Sequence, residues 1–286
     1  MANLKEIRNR IASVSSTMQI TSAMKMVSAA KLKKAQDAIT AMRPYSDKLT
    51  ELLQTLSATI DSEISNQYSE QREVNKVLIV AITSNRGLCG AFNSNIVKEV
   101  NNLAKTKYAG KDVSYLAVGK KANDAFKKTN KVIDNRSDIF DTLTFDNVAE
   151  IAETLMQKFV AGEFDKIDIV YNQFKNAATQ IVTTEQFLPI EPIEVEKEVN
   201  TEYLFEPSKL EIIDQLIPKS LKNQLFKGLR DSFASEHGAR MTAMHKATDN
   251  ATELRDQLKL TYNKARQASI TNEILEIVGG AEALNN

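Results

Sequence analysis

Glycine and proline are placed so that both ends of the chain can run as uninterrupted helix. No glycine precedes Gly87 and no proline precedes Pro44; after Pro218 there is no proline, and only Gly228 and Gly238 intervene before Gly279. These two residue types most disfavour a helix interior, so their distribution permits long helices over residues 3–43 and 219–278. At roughly 1.5 Å per residue the two would span about 60 and about 90 Å. Neither length fits inside a compact globule.

The first helix opens with an apolar seam at Leu4, Ile7, Ile11, Val14 and Met18, then loses it in the stretch ITSAMKMVSAAKLKKAQ, residues Ile20 to Gln36. There the apolar residues project all round the cylinder, interleaved with Lys25, Lys31, Lys33 and Lys34. A seam returns after Pro44 at Tyr45, Leu49, Leu52, Leu56 and Ile60, in the alternating three-four spacing of a coiled coil. The last helix answers with Ala247, Ala251, Leu254, Leu258, Tyr262 and Ala265. Two such seams at the two ends of one chain predict an antiparallel intramolecular coiled coil. The alternative is two ordinary amphipathic helices on a single core, for which they are too long.

The middle of the chain has a different period. Lys76 to Ser84 is a short β-branched run with the character of a buried parallel strand. Asn95 to Lys105 reads as a helix, Asp112 to Val118 as a strand and Asn147 to Val160 as a helix. Lys166 to Phe174 and Gln180 to Leu188 read as two strands close enough to form a hairpin. Strands alternating with helices imply an inserted Rossmann-like α/β domain. The expected organisation is an N-terminal coiled-coil segment at 1–74, the α/β domain at 75–190, an acidic connector at 191–207 and a C-terminal coiled-coil segment at 208–286.

Composition narrows the function classes. The 37 basic and 37 acidic residues cancel, so there is no global signature of a polyanion-binding protein. The lysines of the first helix have no stacking aromatics among them and read as a solvated or partner-facing surface, not a nucleic-acid site. One cysteine excludes an internal disulfide framework and leaves too little thiol for a zinc site. No leader pattern opens the chain and no apolar run approaches the roughly 20 residues that span a bilayer; a soluble protein kept inside the cell is expected.

An α/β domain invites a nucleotide or an active site, and the residues for neither are found. The loop NRGLCGAFN, Asn85 to Asn93, lacks the G-x-G-x-x-G spacing. VGKKA at Val118 to Ala122 faintly resembles a phosphate loop, but Lys121 stands where Ser or Thr would bind magnesium and Ser114 where the first glycine would be. Cys89 sits at a strand-to-helix turn without a base, because the only histidines, His237 and His245, lie far away in the last helix. They are read as surface or interface residues, and Cys89 as a packing residue. The carboxylates form no catalytic pair; no cofactor, metal or catalytic residue is expected.

Several blocks together resemble one family: the gamma subunit, or central rotor stalk, of rotary ATP synthases. They are LKEIRNRIASVSSTMQITSAMKMVSAAKLKKAQ with RPYS after it, the loop RGLCGAFN, and ASEHGARMTAMHKATDNA followed by YNKARQASITNEILEIVGGAEAL. The departure is Gly238 beside His237 in mid-helix, which suggests a local bend. The resemblance implies a non-catalytic shaft inside a ring of three alpha and three beta subunits, with the α/β domain against the epsilon subunit and the ring of c subunits. Ion flow would turn the c ring and the shaft together, and the shaft would drive the beta sites through ATP synthesis at the cytoplasmic face of the bacterial inner membrane.

By the same resemblance, rotor–stator contacts fall on Met24, Lys25 and Arg240 below, and on Gln267, Thr271 and Glu273 above. The apolar tip from Ile274 to Leu284 would enter a hydrophobic sleeve. The foot on the c ring would comprise Arg43, Pro44 and Tyr45 with Tyr203, Phe205 and Glu206 of the EYLFEP segment. The epsilon-facing loop would be Arg86, Gly87, Leu88, Cys89 and Gly90. Two other classes remain open to the residues. One is a free-standing coiled-coil tether, which would need no partners and would leave its apolar tip exposed; the other is an α/β enzyme, which would need the missing fingerprint or base.

Overall fold

A computed structural model describes residues 4–58, 67–129, 131–190 and 209–284. The chain divides into two compact units, Ala29–Arg240 and Met1–Ser28 with Met241–Asn286. Helix α1 (Leu4–Ala58) and helix α5 (Lys209–Leu284) each contribute to both. Both run beyond the spans 3–43 and 219–278 that glycine and proline placement permits. Helix α1 carries Pro44 inside it, and because Pro44 is exposed the carbonyl it leaves unpaired can face water, which lowers the cost of the interruption. Helix α5 likewise continues through Pro218 and past Gly279 and Gly280.

Within the larger unit a five-stranded sheet has the order β3-β2-β1-β4-β5. Strands β1 (Lys76–Ile82), β2 (Asp112–Val118), β3 (Val132–Asn135) and β4 (Lys166–Phe174) are parallel, and β5 (Gln180–Leu188) pairs antiparallel with β4. Strands β2, β4 and β5 have the boundaries read from the sequence. Strand β3 and the short helix α3 (Lys120–Phe126) were not anticipated: VIDN is a four-residue edge strand, and a seven-residue helix gives too few turns for a periodic signal. Helices α2 (Phe92–Lys105) and α3 cover one face through Ile96, Val100, Leu103 and Phe126 against Val77, Ile79 and Ala81. Helix α4 (Phe145–Val160), N-capped by Thr144, covers the other face with α5.

Helix α5 meets the sheet through Ile217, Leu221, Leu225 and Leu229, a ridge at four-residue intervals buried against α4, β4 and β5. Each such side chain contributes about 1.5–3 kcal/mol on burial. Polar bonds fix its register: Lys222 to Glu153 on α4 at 2.5 Å, Arg230 to the Leu143 carbonyl at 2.7 Å, and Gln224 to the Gln186 carbonyl at 3.1 Å. The reverse side of α5 meets α1 through small polar groups, with the Asn223 amide donating to the Ser46 hydroxyl at 2.9 Å.

The expected lapse of the α1 seam is not observed. Buried and half-buried positions run without a gap through Ile7, Ile11, Val14, Met18, Thr21, Lys25, Ser28, Leu32, Ala35, Ile39, Met42, Ser46, Leu49 and Leu53, alternating by four and three. Through the ambiguous stretch the seam is carried by Thr21, Lys25 and Ser28, which a search for apolar residues passes over, while Ile20, Met26 and Val27 are exposed. After Pro44 the seam runs through Ser46 and Leu53, not Tyr45, which is 55% exposed. In the smaller unit the pairing is antiparallel, since Arg8 bonds Tyr262 at 2.7 Å and Thr248 bonds Thr21 at 2.8 Å. There α5 buries Met244, Thr248, Ala251, Arg255 and Leu258 to varying degrees, with Arg255 reaching Met18 Sδ at 3.4 Å and Leu254 left exposed.

Gly238 lies inside α5, which continues as helix on both sides of it. A Cβ there would come within 3.2 Å of the Ala177 backbone in the β4–β5 turn, whereas a Cβ at Gly228 would meet the Tyr171 ring at an ordinary 3.5 Å. Gly119, at φ +107°, faces the Thr83 carbonyl so closely that a Cβ would stand 2.3 Å from it. In thermal or urea unfolding, Gly228→Ala is therefore expected to stabilise the chain by about 0.5–1 kcal/mol, and Gly238→Val to destabilise it. Gly119→Ala should cost about 2–4 kcal/mol through clash and backbone strain.

His237, expected at the surface or an interface, is buried, with its ring edge-on to Phe233 at 4.5 Å between centroids. Neither ring nitrogen has a hydrogen-bond partner. Burial, with Arg240 and Lys31 nearby, pushes its pKa down to about 3. In that range the unfolded chain binds a proton that the native chain does not, so stability is complete above about pH 6.5 and falls as pH drops toward 3, by up to about 1.4 kcal/mol per pH unit. Urea unfolding across this range should show a shallower acid loss for His237→Leu; the difference between the two profiles isolates His237 from carboxylates titrating alongside it.

Candidate interaction surfaces

In a sheet of this order the sequence of strand addition reverses between the parallel neighbours β1 and β4, and the crevice beyond the carboxyl ends of those strands is where such sheets hold ligands. Here the chain fills it with its own groups. The Ser84 hydroxyl donates to the Arg86 carbonyl at 2.6 Å, and the Ser84 amide donates to Asn93 Oδ1 at 2.9 Å. Asn93 Nδ2 reaches Cys89 Sγ at 3.2 Å, and Asn172 Nδ2 donates to the Phe92 carbonyl at 3.2 Å. From α5, Arg240 donates to the Arg86 and Gly87 carbonyls at 3.1 and 3.3 Å.

The VGKKA turn is closed in the same way. The Lys120 amide donates to Asn85 Oδ1 at 3.0 Å, the Lys121 amide to the Ser84 carbonyl at 3.1 Å and the Ala122 amide to Thr83 Oγ1 at 2.8 Å. A phosphate cradle needs these amides free. Burial pushes the Cys89 thiol up despite its bond to Ser84 and the nearby Arg240, the opposite of an activated nucleophile. Fully buried Asp168 is held by the Tyr108 hydroxyl and by Lys107 at 3.1 Å. A groove between β3 and α4 has charges that pair with neighbours, Arg136 with Asp134 at 2.7 Å and Lys158 with Glu163 at 2.6 Å. Among the described residues no group of three or more His, Cys, Asp or Glu could hold a metal, and no helix is long and apolar enough to cross a membrane.

Contact groups stand out instead. In the Arg86–Gly90 loop the exposed residues are Arg86, Gly87, Leu88 and Gly90, while Cys89 is 1% exposed. Leu88 has φ +63° and is 66% exposed, a left-handed conformation rare for a branched apolar residue. Arg240 differs from the other expected rotor–stator residues: its side chain is 9% exposed and its guanidinium bonds Glu236 at 2.6 Å as well as the loop carbonyls. Burial raises the Glu236 carboxyl pKa, and Arg240 offsets this in part. Sequence reasoning missed Glu236, because i,i+4 acid–base spacing on a helix is usually solvated.

In the smaller unit Met24 and Lys25 are half-buried, with the Lys25 ammonium 3.3 Å from His245 Nδ1. Gln267, Thr271 and Glu273 are exposed; the Thr271 hydroxyl donates to the Gln267 carbonyl at 3.0 Å and Ser269 to Glu273 at 3.3 Å. Beyond them Ile274, Leu275, Ile277 and Val278 are 54, 63, 71 and 52% exposed. Of the expected foot, Pro44 and Tyr45 are exposed. The Arg43 side chain and Tyr203, Phe205 and Glu206 lie outside the described residues.

Comparison with known proteins gives these surfaces a context. A family model described as ATP synthase matches residues 3–284. The chain is 75% identical over 285 residues to the ATP synthase gamma chain of Flavobacterium psychrophilum, covering 99% of both chains. It is 44% identical to that of Geotalea uraniireducens, again covering 99% of both. Among solved structures, the rotor of the Euglena gracilis mitochondrial ATP synthase matches with a TM-score of 0.67 at 22% identity, covering 93% of this chain and 98% of that one. The central stalk and c-ring structure from Tetrahymena thermophila matches with a TM-score of 0.58 at 25% identity, covering 80% and 99%. The chain therefore belongs to the ATP synthase gamma-chain family.

Proposed function

We propose that the chain is the central-stalk rotor subunit of an ATP synthase, carrying rotation of a membrane c ring to catalytic beta subunits and performing no bond chemistry itself. Its partners are three alpha and three beta subunits, an epsilon subunit and the c ring, and it works peripherally at the cytoplasmic face of a bacterial plasma membrane. The observation that carries this reading is the full-length identity to ATP synthase gamma chains. A crevice occupied by the chain's own side chains and an apolar exposed end of α5 favour a contact protein over an enzyme. An exposed apolar tip also argues against a partner-free tether.

On this reading Met24, Lys25, Gln267, Thr271 and Glu273 contact the surrounding subunits. Pro44 and Tyr45, with Arg43 and the segment bearing Tyr203, Phe205 and Glu206, form the foot on the c ring. The Arg86–Gly90 loop faces epsilon. Exposed Ile20, Met26 and Val27 among small residues and lysines give contact without deep interdigitation, which suits a surface that must slide past several partners. Residues 274–284 sit in an apolar sleeve. Arg240 acts through its own chain's loop as well as at the contact region.

Native mass spectrometry of the complex recovered through a tag on the α/β domain, with ATP hydrolysis assayed on the same sample, tests the proposal. One copy of this chain with three each of two larger subunits is expected; a stable partner-free chain would refute it. Met24→Lys should lower the ratio of ion pumping to ATP hydrolysis in the assembled enzyme while changing the stability of the chain by less than about 1 kcal/mol. Unaltered coupling in a fully assembled Met24→Lys complex would count against the contact assigned to it.

A further inference from the structure

We infer that Glu236 and Arg240 are positioning residues: together they latch the Arg86–Gly90 loop to helix α5 and hold Leu88 in its exposed, left-handed conformation. The inference rests on the rotor reading only for its consequence, since the latch itself is a property of the larger unit alone. Three observations lead to it. A leucine at φ +63° with most of its surface in water gains no burial there to offset the backbone cost, so the surrounding structure must impose that conformation. The loop is tied from below by Ser84 and Asn93 and beside it Asn85 reaches the Ser137 carbonyl at 2.7 Å. Among the described residues, one tie comes from a long helix: Arg240 Nη2 donates to two consecutive loop carbonyls, Arg86 and Gly87.

Glu236 makes that tie specific. Its carboxylate lies one helical turn before Arg240 and takes a guanidinium N–H at 2.6 Å, with both side chains about nine-tenths buried. A guanidinium is planar and presents its donors in a fixed fork, so an acceptor fixed on one edge aims the other at the loop. Without the carboxylate the arginine would be a largely buried charge free to turn; without the arginine, the carboxylate would be left unpaired. The arrangement occupies the place where a sheet of this order would bind a ligand, and Arg240 supplies the bonds to the loop that a ligand would otherwise supply. In the assembled enzyme the consequence is mechanical, because a loop latched to α5 moves with that helix and presents Leu88 to a neighbouring subunit at a fixed position.

The chain contains one cysteine, and it lies inside this loop at 1% exposure, so the rate of thiol labelling by a water-soluble disulfide reagent reads loop opening directly in the full chain. Arg240→Met alone could unfold the chain by stranding Glu236, so the decisive variant is the double substitution Glu236→Leu with Arg240→Met, which removes both charges and keeps the helix apolar. It should label about tenfold faster or more, as expected for loss of local protection, while the thermal midpoint stays close to that of the parent. Adding Leu88→Asn, which tolerates the left-handed region better, should slow labelling again; a purely structural role elsewhere in the helix would not respond to it. Unchanged labelling in the folded double variant, or no response to Leu88→Asn, would overturn the latch. In the assembled enzyme, faster labelling with a lowered ratio of ion pumping to ATP hydrolysis supports the latch and its consequence together. Faster labelling with normal coupling would leave the latch standing and overturn the loop's part in the rotor.

Discussion

The burial of the first half of α5 against the sheet is the contact on which the rest of the larger unit depends. Ile217, Leu221, Leu225 and Leu229 place one ridge of that helix in the same apolar core as α4 and the inner strands. Four such side chains bring stabilisation comparable to the whole net stability of an ordinary domain. Once the ridge is seated, the opposite side of the helix is committed to α1, and there the register is fixed by a polar contact, the Asn223 amide donating to the Ser46 hydroxyl at 2.9 Å. Gly228 and Gly238 belong to the same constraint, since each lets a neighbouring element, the Tyr171 ring or the Ala177 backbone, lie against the helix.

That seating also decides what became of the crevice at the sheet's reversal point. The turn that carries Arg240 and Glu236 comes against the Arg86–Gly90 loop, and the space a cofactor would occupy is taken by a guanidinium, a thiol and two asparagines. The described groups that line this crevice bond to one another or to the loop carbonyls. The thiol is raised by burial, the His237 pKa is lowered by burial with Arg240 and Lys31 nearby, and the α3 amides are capped by β1's own continuation. A fold commonly used to bind nucleotides thus becomes a rigid mount for helices and a loop, in keeping with the rule that function resides in sites and not in folds.

Much of this was legible in the residues. Three expected elements match observed boundaries closely because their patterns are strong: KIDIVYNQF and DVSYLAV are β-branched and aromatic runs flanked by turns, and Phe145–Val160 repeats apolar residues at helical spacing. The helix lengths were underestimated because proline was treated as a stop. An exposed Pro44 removes one hydrogen bond without ending a helix held by tertiary contacts. The seam of α1 was misread between Ile20 and Gln36 because an interface of small polar residues has no hydrophobic period; Thr21 and Ser28 are buried there by helix proximity, not by affinity for oil. Tyr45 and Leu254 were placed in seams on chemistry alone, one residue from positions the packing chose.

The sequence by itself determined the architecture and the family. Glycine and proline spacing, two periodicities and a handful of unbroken motifs are local properties, and they survive without knowledge of any contact. Only the tertiary structure decided which groups are free to act. Arg240 is spent on Glu236 and two loop carbonyls, His237 lies inside, and Leu88 stands outside in a conformation no propensity would predict. The reason is physical: burial and pairing depend on residues more than a hundred positions apart meeting in space, and neither residue type nor spacing encodes which partner a charge will find.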